Sequence, residues 1–225
     1  MSNGKVPDCR DIWHEMGLTP EEKQQVEDNS NEVVYSAGET IIKQGTFASH
    51  IFVLKTGLAK VVREGENNKR LAYSLLAPPA FFGFSALQAE YFYFGVEAMK
   101  DASICQIRKE MINGIIDHNP KANRYYRDWC GRQNRELFTK LEITSTRNNH
   151  GKLASTLYSL CGEKYEKEGV FEVITRRDLA ELASISRESA NKILKELEND
   201  RIIEINQRSI EIRKPELLRR LSLIG

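Results

Sequence analysis

Residues 175–197 read TRRDLAELASISRESANKILKEL, and this stretch decides how the C-terminal part of the chain folds. Thr175 is a preferred helix N-cap, and Asp178 places a carboxylate at the positive end of the helix dipole three residues later. The helical pattern breaks at Ser184, after which Ser186 offers a second N-cap. The stretch therefore predicts two short helices joined by a tight turn.

Each predicted helix has an apolar face, and the small Ala180 and Ala190 allow the two to cross closely, as a helix-turn-helix requires. The outer face of the second helix carries residue types that read base edges in the major groove: arginine for guanine, glutamate for cytosine and asparagine for adenine. This pattern predicts binding to duplex DNA. A solvated amphipathic helix pair is the alternative interpretation. The outward residues are Arg187, Glu188, Ser189, Asn191, Lys192 and Lys195.

The flanking segments predict the rest of a small domain. Residues 201–205 and 209–213 alternate around Asn206-Gln207, which predicts a β-hairpin that would serve as a wing. Residues 152–161 predict a helix and residues 169–174 a strand. The stretch after Pro215 predicts a terminal helical turn.

The residue pattern between about residues 33 and 107 differs from that of the C-terminal part. Short runs rich in β-branched residues are separated by glycines, which is typical of an all-β sandwich or barrel. Thr19-Pro20 predicts a helix start before this region, and Asn119-Pro120 predicts another after it.

The helix after Asn119 has a long seam at steps of three or four residues. Such a stripe needs an apolar partner, either its own β-region or the same helix of a second chain. We expect the second, because the stripe is longer than one small barrel is wide, and a glutamine within it could set the register. The seam consists of Tyr126, Trp129, Gln133, Leu137 and Leu141.

Composition and motifs limit the functional classes. The net charge is only +1, so any DNA contact depends on a local arrangement of charges. No apolar run approaches the ~20 residues that cross a bilayer, and no signal-peptide core is seen, so we expect a cytoplasmic protein without a membrane partner. The four cysteines form no CxxC pair, so neither a metal site nor an iron–sulfur cluster is expected. No phosphate-binding glycine loop, nucleophile elbow or HExxH motif stands out, so an enzyme is not expected.

These motifs resemble those of the Crp/Fnr superfamily of bacterial transcription regulators. Residues 174–197 are similar to the family's DNA-reading motif, and residues 38–57 are similar to the opening of a cyclic nucleotide-binding β-roll. The resemblance implies an α+β fold: an antiparallel β-roll (double-stranded β-helix or jelly roll), a long dimerisation helix and a winged helix-turn-helix. The ranges expected for these three parts are 1–117, 118–147 and 148–225.

The resemblance also assigns roles in DNA binding. Base edges would be read by Arg187, Glu188 and Lys192, with Ser189 and Asn191 beside them. Phosphates would be held by Thr175, Arg176, Ser186 and Lys195. Two positions depart from the family. Ser184 replaces the usual turn glycine, so the turn must hold a strained serine or adopt another geometry. Lys192 replaces a common arginine, which exchanges a bidentate fork for a point charge.

The effector region departs further. Cyclic AMP sensors of the family use a glycine–glutamate pair and a later arginine–serine pair, but here Phe84 follows Gly83 and no arginine lies between residues 70 and 108. A buried phosphodiester without a cationic partner is unfavourable, so cyclic nucleotide binding is not expected. The aromatic run either fills the β-roll core, which we favour, or lines an effector pocket. The pocket residues would be Phe82, Gly83, Phe84, Ser85, Tyr93 and Phe94.

A haem in such a pocket is a further hypothesis, because several side chains of the chain can serve as axial ligands. The spacing of these residues selects none of them. The candidates are His14, His50, His118, Met16, Met99 and Cys105.

The sequence thus predicts a homodimeric transcription regulator that binds an inverted-repeat DNA site and responds to an unidentified signal other than cyclic AMP. By family resemblance, RNA polymerase is a further partner. The alternative is a ligand-binding or protein-interaction module without DNA-binding activity. A steep loss of DNA affinity with salt would distinguish the regulator from this alternative.

Overall fold

The computed structural model describes residues 9–65, 70–207 and 209–224, with side chains described from residue 12 onward. The chain forms two compact units, residues 1–61 with 75–135 and residues 62–74 with 136–225. Across the described ranges, no helix is both long and apolar enough to cross a membrane.

Eight short strands build the β-region: β1 (Ser30–Tyr35), β2 (Thr40–Ile42), β3 (His50–Thr56), β4 (Ala59–Glu64), β5 (Arg70–Leu76), β6 (Ala80–Phe82), β7 (Gly95–Ala98) and β8 (Ala102–Arg108). They form two four-stranded sheets, with the orders β1-β8-β3-β6 and β2-β7-β4-β5. The strand pairs within the first sheet are antiparallel. This is the antiparallel β-roll that the resemblance implied.

Residues 51–54 of strand β3 are all apolar and do not alternate with polar residues. Ile51 and Val53 belong to one core cluster, whereas Phe52 and Leu54 belong to the other. Because successive side chains of a strand point to opposite faces, a strand buried on both faces must be apolar at every position. The two clusters together form the core of the β-region.

Two of the helices around the β-region begin at the predicted cap signals. Helix α1 (Cys9–Glu15) is followed by α2 (Pro20–Asp28). Thr19 and Glu22 form a capping box at the start of α2. Helix α3 (Lys109–His118) leads through Asn119 into the long helix α4 (Pro120–Thr146). The Asn119 carboxamide oxygen accepts hydrogen bonds from the first amides of α4, and its amide group donates to the Gly17 carbonyl. Both proline signals in the sequence are therefore confirmed.

The seam of α4 is divided between two environments. The rings of Tyr126 and Trp129 pack edge-on against Phe84, at centroid distances of 5.7 and 5.2 Å. For these two half-buried residues the β-region of the same chain supplies an apolar partner, which was the first of the two alternatives for the seam. Gln133 is half-buried, while Leu137 is 49% exposed and Leu141 is 59% exposed.

The C-terminal unit consists of short helices and one hairpin: α5 (Asn149–Leu160), α6 (Glu163–Glu166), α7 (Val170–Val173), α8 (Arg176–Ala183), α9 (Arg187–Asn199), β9 (Ile203–Asn206), β10 (Ser209–Ile212) and α10 (Pro215–Ile224). The predicted hairpin is confirmed, and the predicted terminal turn is a full helix of ten residues.

The strand predicted over residues 169–174 is wrong, because most of this stretch forms helix α7. Gly169 has a φ of 66°, and this left-handed residue turns the chain into the helix. Val170 and Ile174 are buried. Their separation of four residues is one helical turn, so both can reach the core from one side. Burial of these two side chains outweighs the strand preference of the β-branched residues.

Candidate nucleic-acid interface

Helix α8 begins with a complete capping box. The Thr175 hydroxyl accepts a hydrogen bond from the Asp178 amide at 3.1 Å, and the Asp178 carboxylate accepts one from the Thr175 amide at 3.0 Å. Asp178 is buried, whereas Thr175 and Arg176 are exposed. The box satisfies two amides that a helix start leaves without partners, and such caps stabilise a helix by about 1 kcal/mol.

The turn between α8 and α9 holds Ser184 in the left-handed region, at φ 55° and ψ 44°. The Ile185 amide donates to the Ala180 carbonyl at 3.0 Å, which satisfies one of the free carbonyls at the end of α8. The chain therefore keeps the usual turn and tolerates a strained serine, at a cost of ~1 kcal/mol relative to an unstrained residue. Ser186 then accepts from the Ser189 amide at 3.1 Å and caps α9 as predicted.

Helix α9 separates its apolar and polar residues cleanly. Ala190, Ile193, Leu194 and Leu197 are buried. Arg187, Glu188, Lys192 and Lys195 are exposed, and Ser189 and Asn191 are half-buried. The structure thus gathers the sequence-predicted base-reading residues on the outward part of one helix. The Asn191 carboxamide oxygen is buried and has no hydrogen-bond partner within the described residues, so a bidentate contact with adenine requires this side chain to rotate.

The Glu188 carboxylate is held in its charged form at the first turn of α9. Hydrogen bonds from its own backbone amide and from Ser186 lower the pKa of Glu188. A carboxylate at this end of the helix also meets the positive end of the helix dipole. Glu188 is therefore an acceptor at neutral pH, which is the state required to accept a hydrogen bond from the cytosine amino group.

Three residues beside this face were missed by the sequence reasoning. Asn149 on α5 donates to the Ser189 hydroxyl at 3.4 Å, and His150 lies 2.6 Å from the Glu196 carboxylate. Glu196 also lies 4.0 Å from the Lys192 ammonium. The start of α5 and the far end of α9 therefore border the reading face. No local signal could have identified this, because Asn149 and His150 lie at least 40 positions before their partners.

The hairpin is attached to the reading helix. The Ile205 amide on β9 donates to the Glu198 carboxylate of α9 at 3.2 Å. Across the hairpin, Arg213 lies 2.6 Å from Glu204 and 2.6 Å from Glu211. The wing is therefore fixed to α9 by a side-chain bond, and its own charges are largely paired.

Two family sequence models match the chain, one over each region. The cyclic nucleotide-binding domain matches residues 32–119, and the Crp-like helix-turn-helix domain matches residues 151–221. This chain belongs to the Crp/Fnr family. The second match contains α8, the Ser184 turn and α9, so the family's helix-turn-helix corresponds to the face described above.

Similar proteins extend over most of this Crp/Fnr chain. The cyclic AMP receptor protein of Thermus thermophilus is 23% identical over 207 residues, which cover 92% of this chain and 94% of that protein. The structure of FixK2 from Bradyrhizobium japonicum has a TM-score of 0.76 at 16% identity, over 87% of this chain and 98% of that one. A Crp/Fnr-family structure from Eubacterium rectale has a TM-score of 0.74 at 16% identity, over 94% and 97%. The structural likeness establishes the shared fold.

The predicted effector residues of this Crp/Fnr chain do not meet in one pocket. Phe82 and Phe94 belong to one core cluster and Phe84 to the other, whereas Ser85 and Tyr93 are exposed. Phe84 is fully buried and stacks on Phe81 at 4.6 Å. Gly83 adopts a φ of 90°, a conformation in which a side chain is strained. This placement agrees with the interpretation that the aromatic run fills the core.

The candidate haem ligands are dispersed. Met16 and Cys105 are buried in the core cluster that contains Phe84, and His14 is exposed. The His50 ring lies 2.8 Å from the Ser49 hydroxyl, and the His118 ring 2.8 Å from the Gly114 carbonyl. Among residues 12–65, 70–207 and 209–224, no group of three or more His, Cys, Asp or Glu side chains is placed to hold a metal ion.

Proposed function

We propose that this protein is a sequence-specific transcription regulator that binds an inverted-repeat DNA site as a homodimer. The observation that carries the proposal is the outward face of α9, where Arg187, Glu188 and Lys192 are exposed at the start of a capped helix. In a helix-turn-helix, the N-terminal residues of the second helix contact base edges in the major groove. The start of α9 carries donors and acceptors suited to that contact.

The residues divide into base-reading and phosphate-holding groups. Arg187 suits a bidentate contact with guanine, Glu188 suits the cytosine amino group, and Lys192 supplies a single charged donor. Ser189 and Asn191 lie beside them as shorter-range polar contacts. Phosphate contacts fit the residues around the two helix starts, where backbone amides also point outward. The helix starts hold Thr175, Arg176 and Ser186, and the fourth phosphate-holding residue is Lys195, which is exposed further along α9.

The second half of α4 supports the homodimer. Leu137, Phe138 and Leu141 are 49, 72 and 59% exposed, and they lie at helical spacing on one side of the helix. Such an apolar stripe on a helix is stabilised by packing against a second copy. A dimer of this kind would present two α9 helices to successive major grooves, so the half-sites should lie ~34 Å apart.

The residues around Gly83 do not fit the recognition of a cyclic nucleotide phosphate. The position after Gly83 holds the fully buried Phe84, and residues 71–107 contain no arginine. A ring packed in the core offers no hydrogen bond to ribose, and residues 71–107 supply no guanidinium to balance the phosphate charge. We therefore propose an unidentified signal other than cyclic AMP, with RNA polymerase as the further partner of the DNA-bound dimer.

A binding selection from a random duplex library, at near-physiological salt, tests the proposal. We expect a two-fold symmetric motif, with affinity that falls steeply as salt rises because phosphate binding releases counterions. Arg187→Ala should weaken binding to the selected duplex by ~1–3 kcal/mol per half-site. Arg219→Ala is the matched control, since it removes an exposed arginine of α10 that pairs with Glu216. Enrichment of no motif, or equal effects of the two variants, would contradict the proposal.

A further inference from the structure

Lys140 connects strand β5 to helix α8 of the helix-turn-helix. Its ammonium donates to the Leu182 carbonyl at 2.6 Å, the Tyr73 carbonyl at 3.2 Å and the Ala72 carbonyl at 3.3 Å. Ala72 and Tyr73 lie on β5, whereas Leu182 lies on α8. All four residues belong to the same compact unit, 62–74 with 136–225. One side chain of α4 is therefore bonded to both of these elements.

Each donor of the Lys140 ammonium can have its own acceptor at this junction. An ammonium has three N–H donors, and the three carbonyl oxygens can accept one bond each. Leu182 is the last residue but one of α8, where helix carbonyls lack intrahelical partners and the dipole is negative. The helix dipole therefore favours a positive charge at that point, in opposition to the effect of burial. The Leu182 carbonyl lies two residues before the Ser184 turn, so Lys140 holds the helix-turn-helix where its two helices join.

A second polar contact joins the same two elements. The Arg70 guanidinium on β5 lies 3.6 Å from the Glu181 carboxylate on α8, and Arg177 lies 2.6 Å from that carboxylate. The Arg70 and Glu181 side chains are 19 and 11% exposed. Strand β5 and helix α8 are therefore linked through partly buried charges. Such a contact depends on geometry more than an apolar contact does, because a small displacement leaves a buried charge without its partner.

Lys140 is poorly suited to a role in packing alone. Burial lowers its pKa to about 8, which reflects how unfavourable a desolvated ammonium is. An apolar side chain would fill the same space without that penalty. A lysine here is useful because it specifies one relative position of the β5 carbonyls and the α8 carbonyl.

We propose that Lys140 is a positioning residue for DNA recognition, which sets the angle of α8 and α9 to strand β5. Helix α9 follows α8 because they share the Ser184 turn and bury Ala180 and Ala190. A change in the position of α8 relative to β5 would therefore also change the position of the reading helix α9. This inference rests on the proposed DNA-binding function.

Lys140→Met tests the inference, because methionine keeps most of the side-chain length and removes all three donors. The control is Lys167→Met, which removes an exposed lysine paired with Glu163. The measurements are the Kd for the duplex selected by the wild type, the active fraction from stoichiometric titration, and amide exchange over residues 70–74 and 182–186. We expect about 5–150-fold weaker binding at an unchanged active fraction, with faster exchange in both segments. Lys140→Arg should recover part of the affinity. The control Lys167→Met should leave the Kd, the active fraction and the amide exchange unchanged.

Each other result decides the question. Wild-type affinity in Lys140→Met, or a loss explained entirely by a smaller active fraction, overturns the positioning role while leaving DNA binding intact. A wild-type protein that selects no duplex overturns the proposed function, and unchanged exchange in Lys140→Met then overturns the junction as well. If Lys140→Met does not fold, Lys140→Gln, which retains an amide donor, is measured in the same way.

Discussion

Replacing Phe84 with alanine tests whether the aromatic run is core or effector pocket. Phe84 is fully buried. The centroid of its ring lies 4.6 Å from that of Phe81, 5.2 Å from that of Trp129 and 5.7 Å from that of Tyr126. Truncating a buried phenylalanine to alanine costs ~3–5 kcal/mol, and aromatic pairs add ~0.5–1.5 kcal/mol each beyond buried area. We therefore expect Phe84→Ala to lower the free energy of unfolding of the β-region by about 4 kcal/mol.

The assay is urea unfolding followed by tryptophan fluorescence. The only two tryptophans of the sequence are Trp13 and Trp129, and both pack in the cluster that contains Phe84. Fluorescence therefore reports this region specifically. Phe47→Ala is the control, because it deletes the same atoms from a ring that is 56% exposed and should cost less than ~1 kcal/mol. A loss below ~1 kcal/mol for Phe84→Ala would show that the ring borders solvent or a ligand space, and would refute the assignment to the core.

Three further predictions concern the C-terminal unit. Thr175→Ala should lower the free energy of unfolding by ~1 kcal/mol, measured by urea titration followed by circular dichroism, because it removes the hydroxyl that accepts the hydrogen bond of the Asp178 amide. Ser184→Gly should raise the thermal midpoint and leave the selected DNA motif unchanged, because glycine adopts the left-handed turn without strain; a lower midpoint would contradict the assigned conformation. Burial lowers the pKa of Lys140 from 10.5 to about 8, so the penalty for its charge is fully present below pH 8 and is relieved as the pH rises towards 10.5. The wild type should therefore gain up to ~3 kcal/mol relative to Lys140→Met over that range, measured by urea unfolding at stepped pH, and a relative loss would contradict the assigned environment.

The helix-turn-helix was predictable from the sequence because its signals are local. The Thr175 and Ser186 caps each act over three residues, and the apolar face of α9 repeats at helical spacing. Local hydrogen bonds and periodicity are encoded within one element, so they can be recognised without knowing what the element packs against. The base-reading candidates followed from the same periodicity. The all-β character of residues 33–107 was predictable, since glycines and β-branched runs mark short strands, whereas the β-roll was implied by the family resemblance.

What the tertiary structure decided depends on residues far apart in sequence. Only the packing places Tyr126 and Trp129 against Phe84, and only the packing makes residues 170–173 a helix instead of a strand. The three carbonyls around Lys140 come from β5 and α8, at least 42 positions from the lysine. A lysine on a helix surface reads as solvent-exposed, because sequence periodicity describes one element and carries no information about a partner that folds over it. Local chemistry therefore determined the elements, while burial between distant elements decided which side chains are core and which link the reading helix to the rest of the chain.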